Sequence, residues 1–477
     1  MTVAQVIHEQ LPRILDAVAA RDEGNWEKAA QLEEPAPDPL SNYFMHMAEL
    51  YSVVLFQDKQ QVPSGKIGVA KIALQNRAQG FQGVLQNLLP AKGKWAAPDF
   101  MPSGSVGSWA NIPARWVRLE RPTIGSPDEI LADAEREIAQ ATVLQPALRA
   151  AIKDCDTALF CITVVVFKEE TSYGKDGNSD GLLFLVSRRD QNTKYRTISL
   201  ARSQRITSDI RARLPVSAKI QGKTALVVGV GAIGSFVAVE MARAGIGTLI
   251  MIDFDIVEPG NGIRWALGRS AWGLPKITAL ANFIKHNYPD VNIEGFGERL
   301  GGTKIEENWL RGNPLRFLRE IISKADVVID TSASTECQHA LAFNSRDLGK
   351  PYVMGYATEG TVGGVVAKFV PESPSCLVCL QEHWTDNTLA HPPKDSQGSV
   401  VLIGCNAPTF TGGAFDLQEV SLEVVRTAIG VLAPDVYDPG DWEVAVLTLK
   451  LGQNRNLPSW VAEKIAPHPR CHGAQGS

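Results

Sequence analysis

Val227-Val228-Gly229-Val230-Gly231-Ala232-Ile233-Gly234, with Asp253-Phe254-Asp255 downstream, is the stretch that decides the fold. An apolar run at 225–228 breaks into a glycine-rich turn, a helical pattern begins, and a second apolar run at 249–252 ends in acids. That order predicts strand, turn, helix and strand, the context in which such a turn holds a nucleotide. Gly229 permits the tight turn, Gly231 lets a phosphate approach the backbone, and Gly234 lets the helix pack close to the strand. The first N–H groups of the helix then face an anion. Alone, the motif says only that a nucleotide or dinucleotide binds.

Working outward, strand and helix patterns alternate from Lys223 on. Strands are expected at 225–228, 249–252, 291–295, 327–330 and 352–355, and helices at 233–244, Lys276–Asn287, Pro314–Lys324 and 336–348. Pro314 suits the first helical position, where no backbone N–H is needed. The alternation predicts an α/β fold with a doubly wound, mainly parallel, Rossmann-like sheet and a ligand site off the carboxyl ends of its strands. Upstream, a helix is expected at 2–20 with a break or kink at Pro12, and another at 127–151. Two strands, 157–167 and 181–187, are expected around a polar hairpin link at 168–180, so the N-terminal part reads as an α+β domain. Pro/Gly-rich punctuation lies at 34–39 and 90–113, and 203–215 reads as a junction, giving domains 1–215 and 216–477.

The totals bound the function. A chain of 477 residues with 44% hydrophobic and 21% charged residues reads as a globular protein of about two or three domains. A net charge of -5 gives no electrostatic case for nucleic acid or membrane surfaces. No apolar run reaches the ~18 residues of a spanning helix, and no secretory signal is read at the start. With seven cysteines and no export signal, a reducing cytoplasm is expected.

The residues after the second strand do not read as a dehydrogenase, where one acid such as Asp253 would bind ribose hydroxyls. Asp253-Phe-Asp255-Ile-Val-Glu258-Pro-Gly-Asn261-Gly-Ile-Arg264 packs acids, an amide and a guanidinium into one run, and Lys276 follows in Gly273-Leu-Pro-Lys276. Arg and Lys beside a triphosphate neutralise charge that develops in nucleotidyl transfer, and nearby acids bind ribose or hold magnesium.

Here the sequence resembles the ThiF/MoeB/ubiquitin-activating superfamily of adenylyltransferases. Their pattern is a Gly-rich loop, Asp-x-Asp-x-Val, Asn-x-x-Arg and Gly-x-x-Lys, and all four stand here in order between Lys223 and the C-terminus. The resemblance implies ATP-dependent activation of the C-terminal carboxylate of a ubiquitin-like protein. It implies that Gly229, Gly231 and Gly234 cradle phosphates, that Asp253 binds ribose, and that Asn261, Arg264 and Lys276 contact the triphosphate. An arginine from the partner subunit of a homodimer often completes such sites. Two departures stand out. Trp265 follows Arg264 where Gln or His is usual. In Asp330-Thr-Ser-Ala333-Ser334, Ala333 occupies the place of the family's second acid, leaving Asp255, Asp330 or Glu336 to hold Mg2+. Asp330 also reads as a helix cap.

Cys376-Leu-Val-Cys379 has the spacing of a half zinc site, although a redox pair or simple burial would look the same. In the resembled family a second Cys-x-x-Cys follows near the C-terminus. Here Cys471 keeps the first position, Ala474 takes the second, and His472 or His468 would complete the Zn2+ site with Cys376, Cys379 and Cys471; the alternative is a metal-free knuckle. Cys405, in Ile403-Gly404-Cys405-Asn-Ala-Pro408 ahead of a helical stretch at 417–432, reads as an exposed, activated thiol. By resemblance it is the nucleophile that takes the activated carrier as a thioester for a conjugating enzyme. Its other readings are a small buried residue or a fourth zinc ligand. Cys155, Cys161 and Cys337 read as core.

Residues 1–215 carry no assignable chemistry; a degenerate adenylation-like domain, a recruitment domain and an inactive relative of a conjugating enzyme all fit. The whole chain resembles activating enzymes of bacterial ubiquitin-like conjugation systems, some of which serve in antiphage defence. The alternatives are a sulfur-carrier adenylyltransferase of the thiamin or molybdopterin type and a non-catalytic nucleotide-binding interaction module. Ala333 is the main support for the last.

Overall fold

The computed structural model describes residues 3–25, 28, 44–45, 47–57, 60–89, 109–144, 146–172, 175–193, 195–205, 213–300, 314–400, 409–452 and 454–471. Cys405, His472 and most of the punctuation at 34–39 and 90–113 lie outside them. The chain divides into two compact units, one running to Ile210 and the other from Arg211 onward.

The N-terminal unit has β1 (Ala48–Phe56), β2 (Ile67–Asn76), β3 (Phe81–Leu89), β4 (Ala110–Ile112), β5 (Ala114–Arg118), β6 (Phe160–Ser172), β7 (Lys175–Arg189) and β8 (Arg196–Arg205). Their order is β3-β1-β8-β7-β6-β5-β2-β4, and β2 also pairs with β3. That last ladder closes seven strands into a barrel, with β4 hanging outside on β2. The α+β expectation did not foresee this closure. Burial alternates with period two along the barrel's strands. Ile162, Val164, Val166, Phe184 and Val186 share one core cluster with Trp116. The intervening Val165, Phe167, Leu183 and Leu185 join another with Ile130, Ala134 and Ile138 of a helix.

Helix α1 (Val3–Asp22) runs through Pro12 instead of ending there. The single helix expected at 127–151 is two, α2 (Pro127–Leu144) and α3 (Pro146–Thr157), because Pro146 favours a new helix start. The hairpin expected at 168–180 is present, but its strands extend through most of the polar stretch.

The C-terminal unit holds β9 (Thr224–Val228), α4 (Gly234–Arg243), β10 (Thr248–Ile252), α5 (Lys276–Asn287), β11 (Asn292–Phe296), α6 (Pro314–Lys324), β12 (Val327–Asp330), α7 (Thr335–Asp347) and β13 (Tyr352–Ala357). After these come β14 (Gly363–Phe369), α8 (Leu377–Thr385), β15 (Ser399–Val400), β16 (Thr409–Phe410), α9 (Ala414–Leu432), β17 (Val444–Leu451) and β18 (Asn454–Glu463). The main sheet has eight strands in the order β11-β10-β9-β12-β13-β14-β17-β18. From β11 to β13 the ladders are parallel; from β13 to β18 they are antiparallel. The fold is therefore mixed α/β, and the expected mainly parallel sheet carries an antiparallel extension that sequence reading omitted. Apolar residues cover both faces. Ala225 and Val227 of β9 pack with α4, α5 and α9. Leu226 and Val228 pack with α6, α7 and α8.

Trp116 is fully buried in the barrel and donates its indole N–H to the Leu89 carbonyl at 2.8 Å. Trp116→Ala should destabilise the N-terminal unit by about 3–5 kcal/mol. Denaturant unfolding followed by probes in each unit checks this: the N-terminal transition should move and the C-terminal one should not.

Candidate functional site

The turn after β9 is held from outside itself. Gly229 has φ of 81°, and a Cβ there would lie 2.5 Å from the Ser332 Cα, so only glycine fits. A Cβ on Gly234 would fall 2.0 Å from the Gly229 carbonyl oxygen, whereas Gly231 has nothing within 4 Å and opens into free space. Thr331, just beyond β12, donates its hydroxyl to the Gly229 carbonyl at 2.6 Å and its N–H to the Val228 carbonyl at 2.9 Å. Trp265 is buried and donates its indole N–H to the Val230 carbonyl at 2.8 Å. The residue that departs from the family pattern therefore pins the glycine turn.

Two cavities lie beside the turn at the carboxyl ends of β9, β10 and β12. One, of about 580 Å³, is bounded by Asp253, Asp255, Arg299, Glu336 and Cys337, among others. The other, of about 190 Å³, is bounded by Asn261, Arg264, Trp265 and Ala333, among others. Gly231, Lys276, Thr331 and Ser332 belong to both walls. Lys276 is 8% exposed and its ammonium donates to Asp255 Oδ2 at 2.8 Å. The sequence places it at the start of α5, where its own N–H reaches the Asp255 carbonyl.

Asp253 accepts the N–H groups of Asp255 and Val230, and its carboxyl is raised above the usual range chiefly by burial. Asn261 Oδ1 accepts the Glu258 N–H at 3.0 Å, and the Arg264 N–H donates to the Asn261 carbonyl. These bonds form the short 3-10 turn Pro259–Ile263 that carries both side chains to the small cavity. Arg299 stacks its guanidinium 5.2 Å from the Phe254 ring centre at the wall of the larger one. Thus Gly229, Gly231, Asp253, Asp255, Asn261, Arg264 and Lys276 converge, while Gly234 supports them through packing.

Asp330 stands apart. It is 1% exposed and borders neither cavity. Oδ1 accepts the Ser332 N–H at 2.9 Å and its hydroxyl at 2.7 Å; Oδ2 accepts the Tyr352 hydroxyl at 2.9 Å. Its oxygens are thus committed to shaping the 330–334 turn, in which Ala333 adopts a left-handed φ of 54° and Ser334 caps α7. Asp330, expected as a metal ligand or helix cap, makes these turn bonds and lies off both cavity walls. Of the three acids expected to hold Mg2+, Asp255 and Glu336 lie on the larger cavity, beside Asp253 and Glu298, and such carboxylates suit Mg2+ held mainly by phosphates and water.

Sequence reasoning missed three residues. Thr331 was legible as the residue following a strand at the sheet's carboxyl end. Trp265 had no signal beyond its departure from pattern. Cys337, read as core, lies on the cavity wall in the first turn of α7, half-buried, with its thiol raised above its ordinary range by burial.

The sulfurs of Cys376, Cys379 and Cys471 lie within 4.8 Å of one another, with Sγ–Sγ distances of 3.8 and 3.4 Å measured from Cys376. A tetrahedral zinc with Zn–S bonds of ~2.3 Å needs thiolates about 3.8 Å apart, so this cluster fits. His468 does not join it. Its Nε2 lies 3.1 Å from Asp386 and its Nδ1 accepts the Arg470 N–H; only its backbone N–H reaches Cys379 Sγ, at 3.4 Å. His472, the other expected fourth ligand, lies outside the described residues.

Residues 204–432 match the ThiF family. Uncharacterized protein y4oA of Sinorhizobium fredii is 51% identical over 98% of this chain and 80% of its own length. Ubiquitin-like modifier-activating enzyme 5 of Caenorhabditis elegans is 30% identical over 34% of this chain and 38% of its own length. The crystal structure of E. coli MccB with ATP aligns over 54% of this chain and 68% of that one, at 14% identity and a TM-score of 0.40. Residues 204–432 of the chain thus form a ThiF-family domain. Among the described residues, no helix is long and apolar enough to cross a membrane.

Two outcomes follow. Because burial raises the Asp330 carboxyl, the folded chain holds that proton more tightly than the unfolded one. Its contribution is greatest below the ordinary carboxylate range of about 4 and declines as pH rises through the raised value. Asp330→Asn should remove that slope, so wild type should lose stability relative to the variant as pH rises from about 4 to about 7. Urea midpoints across that range check it. Purified protein should carry about one zinc per chain, and Cys376→Ser should lose most of it, as measured by plasma emission.

Proposed function

We propose that this protein adenylates the C-terminal carboxylate of a small carrier protein of the ubiquitin-like kind, using ATP. The observation that carries the reading is the buried Lys276 ammonium at the wall shared by the two cavities. The parallel part of the sheet then acts as a Rossmann-like cradle. Adenosine lies in the larger cavity with its ribose on Asp253, phosphates meet Gly231 and the start of α4, and the carrier's tail enters by the smaller one.

In the reaction, a carboxylate oxygen attacks the α-phosphorus, the bond from that phosphorus to the bridging oxygen breaks, and pyrophosphate leaves. Lys276 and Arg264 balance the charge gathering on the phosphates. Asp255 and Glu336 would hold Mg2+, which would supply further charge neutralisation at the phosphates. Cys405 is the acceptor in this reading. Its thiolate attacks the acyl carbon, AMP leaves, and a thioester stores the activation for a conjugating enzyme. The relatives named as ubiquitin-like modifier-activating enzymes support conjugation over sulfur transfer. The thiols of Cys376, Cys379 and Cys471 would hold a structural zinc, joined by His472. Pairing into a homodimer would supply an arginine in trans, and the barrel unit would serve recruitment.

ATP–pyrophosphate exchange tests the adenylation step. A candidate carrier should support exchange, and Lys276→Ala should lower the rate by about a hundredfold. Exchange that ignores the carrier, or survives intact in the variant, would sink the reading. A carrier adduct released by reducing agent should form in wild type and be lost in Cys405→Ser.

A further inference from the structure

A third cavity lies away from the glycine turn, in the C-terminal unit. Its volume is about 520 Å³, within the range of sites for small organic ligands. It borders the last turns of α7, the end of β14 and the start of α8. Its wall is mostly apolar and includes Phe343, Phe369 and Val378. Phe343 is 70% exposed although it stands on a helix whose other face is packed, and nothing among the described residues covers it.

The polar groups on the wall include His339, Ser373 and Ser375 as well as charged side chains. Arg346 and Lys350 border the cavity, and neither forms an ion pair with any described residue. The other charged groups there are already engaged: Arg470 with Glu382 and Asp386, and Asp347 with Arg319. Between the apolar wall and the thiol cluster lies Ser375. It is 1% exposed, and its hydroxyl has no hydrogen-bond partner. A buried hydroxyl without a partner costs about 1–3 kcal/mol, which a hydrogen bond to a ligand would recover. An apolar cavity with two uncommitted cations at its edge and one unanswered hydroxyl in its wall is complementary to an apolar molecule ending in an anion.

We propose that this cavity is a second ligand site, separate from the nucleotide cleft, for a small anionic amphiphile such as a medium-chain carboxylate. The apolar body lies along Phe343, Phe369 and Val378, the anionic group meets Arg346 and Lys350, and Ser375 hydrogen-bonds the ligand. The site stands independently of the adenylation reading, since it shares no residue with the nucleotide cavities.

Calorimetric titration of the full chain with decanoate, decanol and decyltrimethylammonium tests this. Decanoate should bind at one site per chain, tighter than decanol by about tenfold or more, and the cation should not bind. Arg346→Glu with Lys350→Glu should erase the preference for decanoate. Val378→Trp, which sets a larger ring into the cavity, should weaken decanoate binding while ATP binding stays unchanged. Saturating ATP should leave decanoate binding intact. Equal binding of all three probes, indifference to both variants, competition by ATP, or no binding would each overturn the proposal. Exchange activity does not enter these readouts, so the adenylation reading and this one fail separately.

Discussion

Two hydrogen bonds to carbonyls of one turn organise the C-terminal unit. The Thr331 hydroxyl takes the Gly229 carbonyl and the Trp265 indole takes the Val230 carbonyl. Each donor comes from a different connection of the sheet, so the turn is fixed relative to both the β12 end and the segment after β10. A short turn left to itself would have several conformations to lose on binding a phosphate. Here the surrounding fold has already removed them. The same two bonds hold the floor of both cavities, because Thr331 borders each and Trp265 borders the smaller.

Electrostatics follow from that geometry. Lys276 is nearly buried at the meeting of the cavities and has one carboxylate partner, Asp255, itself half-exposed. A charge in that position is tolerated because it is paired, and its position at the shared wall suits a polyanion lying across it. Asp253, more buried, is stabilised by backbone N–H groups, including that of Val230 in the pinned turn. Asp330 shows the opposite arrangement, with its donors so complete that it shapes the turn and leaves the cavity to its neighbours.

Much of this was legible in the sequence. Periodicity placed α5 and α6 at their observed ends and β12 at its observed span, because each combines a strong apolar pattern with clear boundaries. Motif spacing brought Asp253, Asn261, Arg264 and Lys276 to one place. What escaped depends on long-range pairing. The β2–β3 ladder that closes the barrel leaves the same alternation an open sheet would show. The antiparallel strands β14, β17 and β18 have no motif to announce them. Asp330 takes the Tyr352 hydroxyl, a partner 22 residues on that spacing does not announce. His468 was offered as a ligand on spacing alone, whereas Asp386 and Arg470 hold its ring elsewhere.

In the proposed reaction the pinned turn and Lys276 hold the phosphates of ATP. Calorimetric titration of ATP and AMP into wild type and Lys276→Ala tests it most directly. Wild type should bind ATP tighter than AMP by about tenfold or more, and the variant should lose this advantage while keeping its affinity for AMP. Equal affinity for the two nucleotides in wild type, or an undiminished preference for ATP in Lys276→Ala, would contradict it.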